Sequence, residues 1–182
     1  MLKEISVPEI VAFLGRAGSG KDYQCSLLQE KGYKKLAFAD ALREMAFRTL
    51  GLDYEWGMQH YDELKTTELY NGQNFRHILE NLGSGIRQYS SNFFVDVVIN
   101  KIINDNDYDK FCISDLRYVN EAERLYNALP FSDLKFIFCD YRSERYQEVN
   151  NHESATLANL LCEAGYKDLQ ELSLQDILKV RS

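Results

Sequence analysis

The chain has 182 residues, a net charge of −7 and an apolar content of 45%. That length holds one domain with a real core, and the composition is that of an ordinary globular protein rather than a disordered or fibrous one. The acidic balance argues against nucleic acid as a partner, and no apolar run is long enough to call for a membrane.

In chain order, Ile10-Val11-Ala12-Phe13-Leu14 is a short, fully apolar run. It reads as a strand buried in a parallel sheet. Gly15-Arg16-Ala17-Gly18-Ser19-Gly20-Lys21-Asp22 follows, and then a helix over 21–32. Strand, glycine loop and helix in that order are the context of a phosphate-binding P-loop. Glycines let bare backbone N–H groups curl around an anion, the helix start is electropositive, and Lys21 adds a point charge. The residue after the lysine is normally Ser or Thr, whose hydroxyl meets Mg²⁺; here it is Asp22. A carboxylate can hold Mg²⁺ directly or through water, and Asp can equally serve as a helix N-cap. Beside a polyphosphate, that extra negative charge needs compensating cations.

Lys35-Leu36-Ala37-Phe38 reads as a second strand, and 39–46 begins a helix that ends at Gly51. Residues 52–73 read as a loop with helical pieces. Helices are expected over 74–88, where Phe75, Ile78, Leu79 and Leu82 share a face, and over 93–103. Strands are expected at 110–114 and 134–139, with a helix at 120–129 between them. The remainder from 143 reads as helical, with Ser173 capping the last helix. This alternation predicts an α/β fold, three layers of α/β/α around a central parallel sheet, with ligands at the C-terminal ends of the strands.

Asp115 stands at such an end and Arg117 lies two residues on. Asp115 can hold Mg²⁺ through water, orient an acceptor, or merely serve a turn. Arg43, Arg76, Arg87, Arg117, Arg142 and Arg145 offer forks for a second anion; for any one alone a solvated surface charge is the better reading, but Arg117 differs by sitting at the sheet's C-terminal edge. Phe38 could stack on a base, with core packing the plainer reading. His60, His77 and His152 are too dispersed for a metal site, and Asp105-Asn106-Asp107 lacks the further ligands of a calcium loop. Cys25, Cys112, Cys139 and Cys162 form no CxxC pair and no disulfide framework; Cys112 and Cys139, inside expected strands, read as buried thiols in a reducing compartment, and with no signal peptide a cytoplasmic location is expected.

With these residues on the page, the sequence resembles the phage-type deoxynucleoside monophosphate kinases and, more distantly, the animal-type phosphomevalonate kinases. Both have a P-loop ending in Gly-Lys-Asp, matching Gly20-Lys21-Asp22. Further matching blocks are Phe38-Ala39-Asp40-Ala41-Leu42-Arg43-Glu44, the run from Arg76 to Ser84 with Arg87 and Phe94, and Ser114-Asp115-Leu116-Arg117-Tyr118-Val119-Asn120-Glu121. Asp140-Tyr141-Arg142 and His152-Glu153-Ser154 resemble the ends of the family's lid.

The resemblance implies a single P-loop kinase domain over 1–182, with an acceptor-binding insertion at about 39–95 and a lid at about 141–155. It implies ATP and Mg²⁺ handled by Gly15, Arg16, Ala17, Gly18, Ser19, Gly20, Lys21 and Asp22, with Asp115 assisting at the metal or acceptor. Arg43, Arg76, Arg87 and Arg117 would hold the acceptor phosphate, with Phe38 beside it. Arg142 and Arg145 would close over the moving phosphoryl group. The expected substrates are ATP and a deoxynucleoside monophosphate. A kinase for another phosphorylated acceptor, or a nucleotide-binding protein without turnover, are the alternatives. The sequence leaves the choice of base and a homodimer open, and leans toward a phage or prophage origin.

The resemblance also has departures. Ala155 stands where the family often has an acidic residue, Tyr23 where Thr is common, and the tail shows no final strand.

Overall fold

The computed structural model describes residues 7–140 and 156–180. Contacts divide the chain into two compact units, one made of the residues up to Ala37 with those from Val98 on, the other of Phe38–Val97.

The first unit is built on a five-stranded sheet. Its strands are β1 (Glu9–Gly15), β2 (Lys34–Leu36), β5 (Lys110–Leu116), β6 (Asp133–Cys139) and β7 (Gln170–Leu172), in the order β2-β5-β1-β6-β7. The first four run parallel, and β7 lies antiparallel on β6 through Phe136↔Leu172 and Phe138↔Gln170. The central strand β1 is apolar on both faces because both are covered: Ile10, Ala12 and Leu14 are at most 1% exposed, and Val11 and Phe13 are also buried. Around the sheet stand α1 (Lys21–Gln29), α7 (Val119–Ala128), α8 (Thr156–Glu163) and α9 (Leu174–Lys179). Cys25 of α1 packs with Val11, Phe13, Tyr33, Cys112 and Cys139, so this face of the sheet and the helix share one apolar cluster. The result is a mixed α/β architecture with a mostly parallel central sheet, compatible with a three-layer arrangement.

The second unit carries α2 (Phe38–Thr49), α3 (Tyr54–Gln59), α4 (Tyr61–Leu64), the hairpin β3 (Glu68–Tyr70) and β4 (Gln73–Asn74), and α5 (Phe75–Tyr89). α6 (Phe93–Ile103) runs across the division between units. The core of this unit is aromatic. Phe47 stacks on Phe75 at 4.4 Å, with Tyr54 and Tyr61 edge-on to them. Gly57 sits where a Cβ would come within 2.4 Å of the Phe47 ring, so α3 can close on α2 only with glycine there.

Several elements differ from the sequence reading. Phe38 opens α2 rather than ending a strand, so β2 stops at Leu36. Residues 68–74 form a hairpin: Tyr70 pairs with Gln73, and Asn71 and Gly72 both take positive φ. Asn-Gly is the preferred pair for such a two-residue turn, a signal the sequence did contain. The tail is not all helical, because Gln170–Leu172 adds an edge strand to β6. Three residues are too few to show a period of two, and the partner strand lies 30 residues away in the chain. Ser173 does cap the final helix, its hydroxyl accepting from the Asp176 N–H.

Candidate functional site

β1 delivers the chain to the glycine loop at the C-terminal end of the sheet. Gly15 has φ +149° and pairs with Cys139 of β6; a Cβ there would lie 2.2 Å from the Cys139 carbonyl oxygen and 2.6 Å from Ser19 Oγ. The loop can therefore fold tightly against β6 only with glycine at its entrance. The Ser19 N–H closes a turn on the Arg16 carbonyl at 3.2 Å, and Gly18 and Gly20 take positive φ. Gly20 is the N-cap of α1 and brings no side chain to it. Asp22 is therefore not the cap, as one reading of the sequence had it; it lies in the first turn, where a negative charge favours the electropositive helix start.

Lys21 is the first residue of α1, yet its side chain turns back into the loop. Nζ donates to the Gly15 carbonyl at 2.7 Å, to the Arg16 carbonyl, and to Ser19 Oγ at 3.4 Å. The residue is only 9% exposed. Burial, reinforced by the positive charge of Arg117, lowers its pKa from 10.5 to about 8, against the pull of Cys139, Asp22 and Asp115. Thus four groups act on one ammonium, three of them distant in sequence: the ends of β5 and β6 and the first turn of α1 converge there. The Arg16 Nε is buried and has no partner among the described residues. A buried donor without an acceptor suits an anion, because an unmet guanidinium N–H is costly to leave dry.

Asp115 and Arg117 reach this place because β5 ends beside β1. Glu121, 3% exposed in the first turn of α7, accepts from the backbone N–H groups of Arg117 at 2.9 Å and Tyr118 at 3.0 Å. It pins the turn that carries Arg117. Asp22 is 80% exposed, and its Oδ1 accepts from Lys35 Nζ at 2.6 Å. Burial would lower the Lys35 pKa, but the hydrogen bond and charge of Asp22 outweigh it and hold the ammonium above its ordinary value.

The remaining candidates fall in the second unit or outside the described residues. Phe38 is 3% exposed and buried, the plainer of its two readings. Arg43 pairs with Asp40 at 2.8 Å and lies over the Tyr61 ring at 5.2 Å. Arg76 pairs with Glu80 at 3.0 Å, and Arg87 lies over the Phe94 ring at 5.0 Å. Arg76 and Arg87 share a face of α5, three turns apart. Arg142, Arg145 and the lid at 141–155 lie outside the described residues.

Among the described residues no three His, Cys, Asp or Glu side chains form a metal cage. Asp22 and Asp115 are nonetheless hard oxygen donors that both act on Lys21. One or two carboxylates fit Mg²⁺, which keeps much of its water and takes its other ligands from phosphates. Cys25, Cys112 and Cys139 are buried free thiols and Cys162 is half-buried. No helix of the described residues is long and apolar enough to cross a membrane. A cavity of about 500 Å³ lies between Tyr126, Phe136, Leu172 and Leu174 and includes none of these candidates.

Sequence reasoning passed over two residues of this neighbourhood. In the sequence Lys35 reads only as part of a strand, and its contact with Asp22 depends on how β2 lies beside α1. Glu121 appeared only as part of a matching block. Its spacing from the end of β5, four residues past Arg117 at a helix start, is the signal that could have marked it as a cap.

The chain matches no protein-family model and no curated protein. Among solved structures it is similar to one described as the crystal structure of TT1252 from Thermus thermophilus, at 15% identity and a TM-score of 0.41, over 97% of this chain and 80% of that one.

Proposed function

We propose that this protein is a P-loop kinase that transfers the γ-phosphoryl group of ATP to a deoxynucleoside monophosphate, giving ADP and the diphosphate. The observation that carries this reading is the convergence on Lys21. A buried ammonium is held inside a Gly15–Gly20 loop, with Asp22, Asp115 and Arg117 all within its electrostatic reach. Phosphoryl transfer asks the protein mainly for positioned charge, and this is a site of positioned charge.

In this reading the loop backbone and the start of α1 receive the nucleotide phosphates. Lys21 exchanges the Gly15 and Arg16 carbonyls for phosphate oxygens, and Arg16 meets its missing acceptor. Asp22 and Asp115 are the carboxylates that would hold a Mg²⁺ ion, directly or through water, and the ion would supply neutralisation of phosphate charge. Arg117, fixed by Glu121, stabilises charge on the transferring group. Arg43, Arg76 and Arg87 are assigned to the acceptor's own phosphate. Arg142 and Arg145 are assigned to the closing segment that excludes water. Free buried thiols fit a cytoplasmic setting.

The test is coupled ADP release with Mg-ATP against each common deoxynucleotide and ribonucleotide monophosphate, and against phosphomevalonate. Turnover with a deoxynucleotide supports the proposal and gives the base preference. Turnover only with another phosphorylated acceptor keeps the chemistry and moves the substrate. ATP binding without any acceptor-dependent release makes the protein a nucleotide-binding module. Lys21→Ala removes turnover in either kinase case.

A further inference from the structure

A carboxylate directly after the loop lysine poses an electrostatic problem. Asp22 places a negative charge in the first turn of α1, where the loop and the helix start otherwise offer positive potential. The fold answers with Lys35. This residue comes from β2, on the far side of β5 from β1 in the sheet order, and its Nζ meets Asp22 Oδ1 at 2.6 Å. The two side chains are unequally placed: Lys35 is 33% exposed, while Asp22 is 80% exposed. The partly covered lysine is the anchor, and the exposed carboxylate is the arm that it holds.

We propose that Lys35 is a positioning residue that neutralises and tethers Asp22, and so decides how far the Asp22 carboxylate is offered to a divalent cation. This rests on the reading of the loop as a nucleotide site. With Lys35 in place, the pair contributes no net charge beside the phosphates, and a metal ion must compete with an ammonium for the carboxylate. Without Lys35, Asp22 repels a metal-free polyphosphate and is at the same time released toward any cation that accompanies it. The protein's dependence on the divalent ion is thus set by a residue that touches neither the nucleotide nor the metal.

The experiment is calorimetric binding of ATP to the full chain, once with EDTA and once with excess MgCl₂. The quantity read is the ratio of the two affinities. Lys35→Met is expected to weaken metal-free ATP, Mg-ATP much less, so that the ratio rises on the order of tenfold. Lys35→Arg is expected to keep the wild-type ratio. In an Asp22→Asn background, Lys35→Met is expected to leave the ratio unchanged, because there is no carboxylate to release. That cycle separates tethering from a loss of fold, which would alter both affinities alike.

An unchanged ratio in Lys35→Met overturns the proposal, as does a rise of equal size in the Asp22→Asn background, which would make Lys35 a direct ligand of phosphate. If the wild-type chain binds ATP and Lys35→Met behaves like it, only this inference fails. If the wild-type chain binds no ATP with or without the metal, the loop reading fails and this inference falls with it.

Discussion

Gly15 and Cys139 face each other across β1 and β6 with no room for a methyl group: a Cβ on Gly15 would lie 2.2 Å from the Cys139 carbonyl oxygen. The obstacle is backbone, which cannot swing aside as a side chain would, and the Gly15 φ of +149° disfavours any other residue. The loop that carries Lys21 therefore starts from a contact that the sheet itself imposes.

Gly15→Ala should accordingly destabilise the first unit by about 2–4 kcal/mol, from backbone strain and overpacking together. Urea denaturation measures the loss, and calorimetry with ATP should show weakened binding in whatever fraction stays folded. A variant with wild-type stability would mean that the loop entrance has slack that the structure does not show.

Lys21 predicts two pH effects of opposite sign. An anion in the loop needs the protonated ammonium, whose pKa is lowered to about 8 chiefly by burial and then by Arg117. ATP affinity should therefore fall as pH rises past about 8, more steeply than in Lys21→Arg, which stays charged. Stability moves the other way. The folded-state pKa lies below the ordinary 10.5, so the protonated, buried lysine costs stability in full below about pH 8, and that cost is relieved as pH rises toward 10.5. Comparing melting curves of the wild type and Lys21→Met between pH 7 and 10 isolates this group. The wild type should gain on the variant as pH rises, and a parallel response would remove the shift.

Glu121 predicts a link between a helix cap and the site. Its buried carboxylate accepts from two backbone N–H groups, those of Arg117 and Tyr118. Glu121→Ala should cost about 2–4 kcal/mol, since removing a buried acceptor costs about 1–3 kcal/mol per group left dry. Glu121→Gln keeps an acceptor oxygen and should lose less than half as much. Chemical denaturation of the two variants checks the order, and equal losses would show that the charge rather than the hydrogen bonds is what matters. Under the proposed function, Glu121→Ala should also lower turnover as Arg117→Ala does, because the turn holding Arg117 is released.

Much of this arrangement is legible in the sequence alone. The apolar run 10–14, the glycine spacing that follows it and Lys21 identify a strand, a loop and a helix by local rules alone, and those elements are found at those places. Ser173 and Asn74 mark helix starts by the same kind of short-range chemistry, each accepting from a backbone N–H three residues on. The burial of Cys112 and Cys139 follows from their positions inside apolar strands, whereas that of Cys25, on α1, does not. Local sequence also held one signal that went unread, the Asn71-Gly72 turn of the hairpin.

What the amino-acid sequence determined by itself was where the longer strands and helices lie, such as β1, α1, α5, β5 and β6, because propensity, capping and periodicity act within a few residues; the three-residue β7 is too short for those rules. What only the tertiary structure decided was which side chains meet. The strand order β2-β5-β1-β6-β7 brings Asp115, Arg117 and Cys139 to Lys21, and the placement of β2 brings Lys35 to Asp22. These pairings join residues 13 to about 118 positions apart, for which no local rule exists. They are fixed by the packing of apolar strands and helices into one core, and the charges of the site are carried to their partners by that packing.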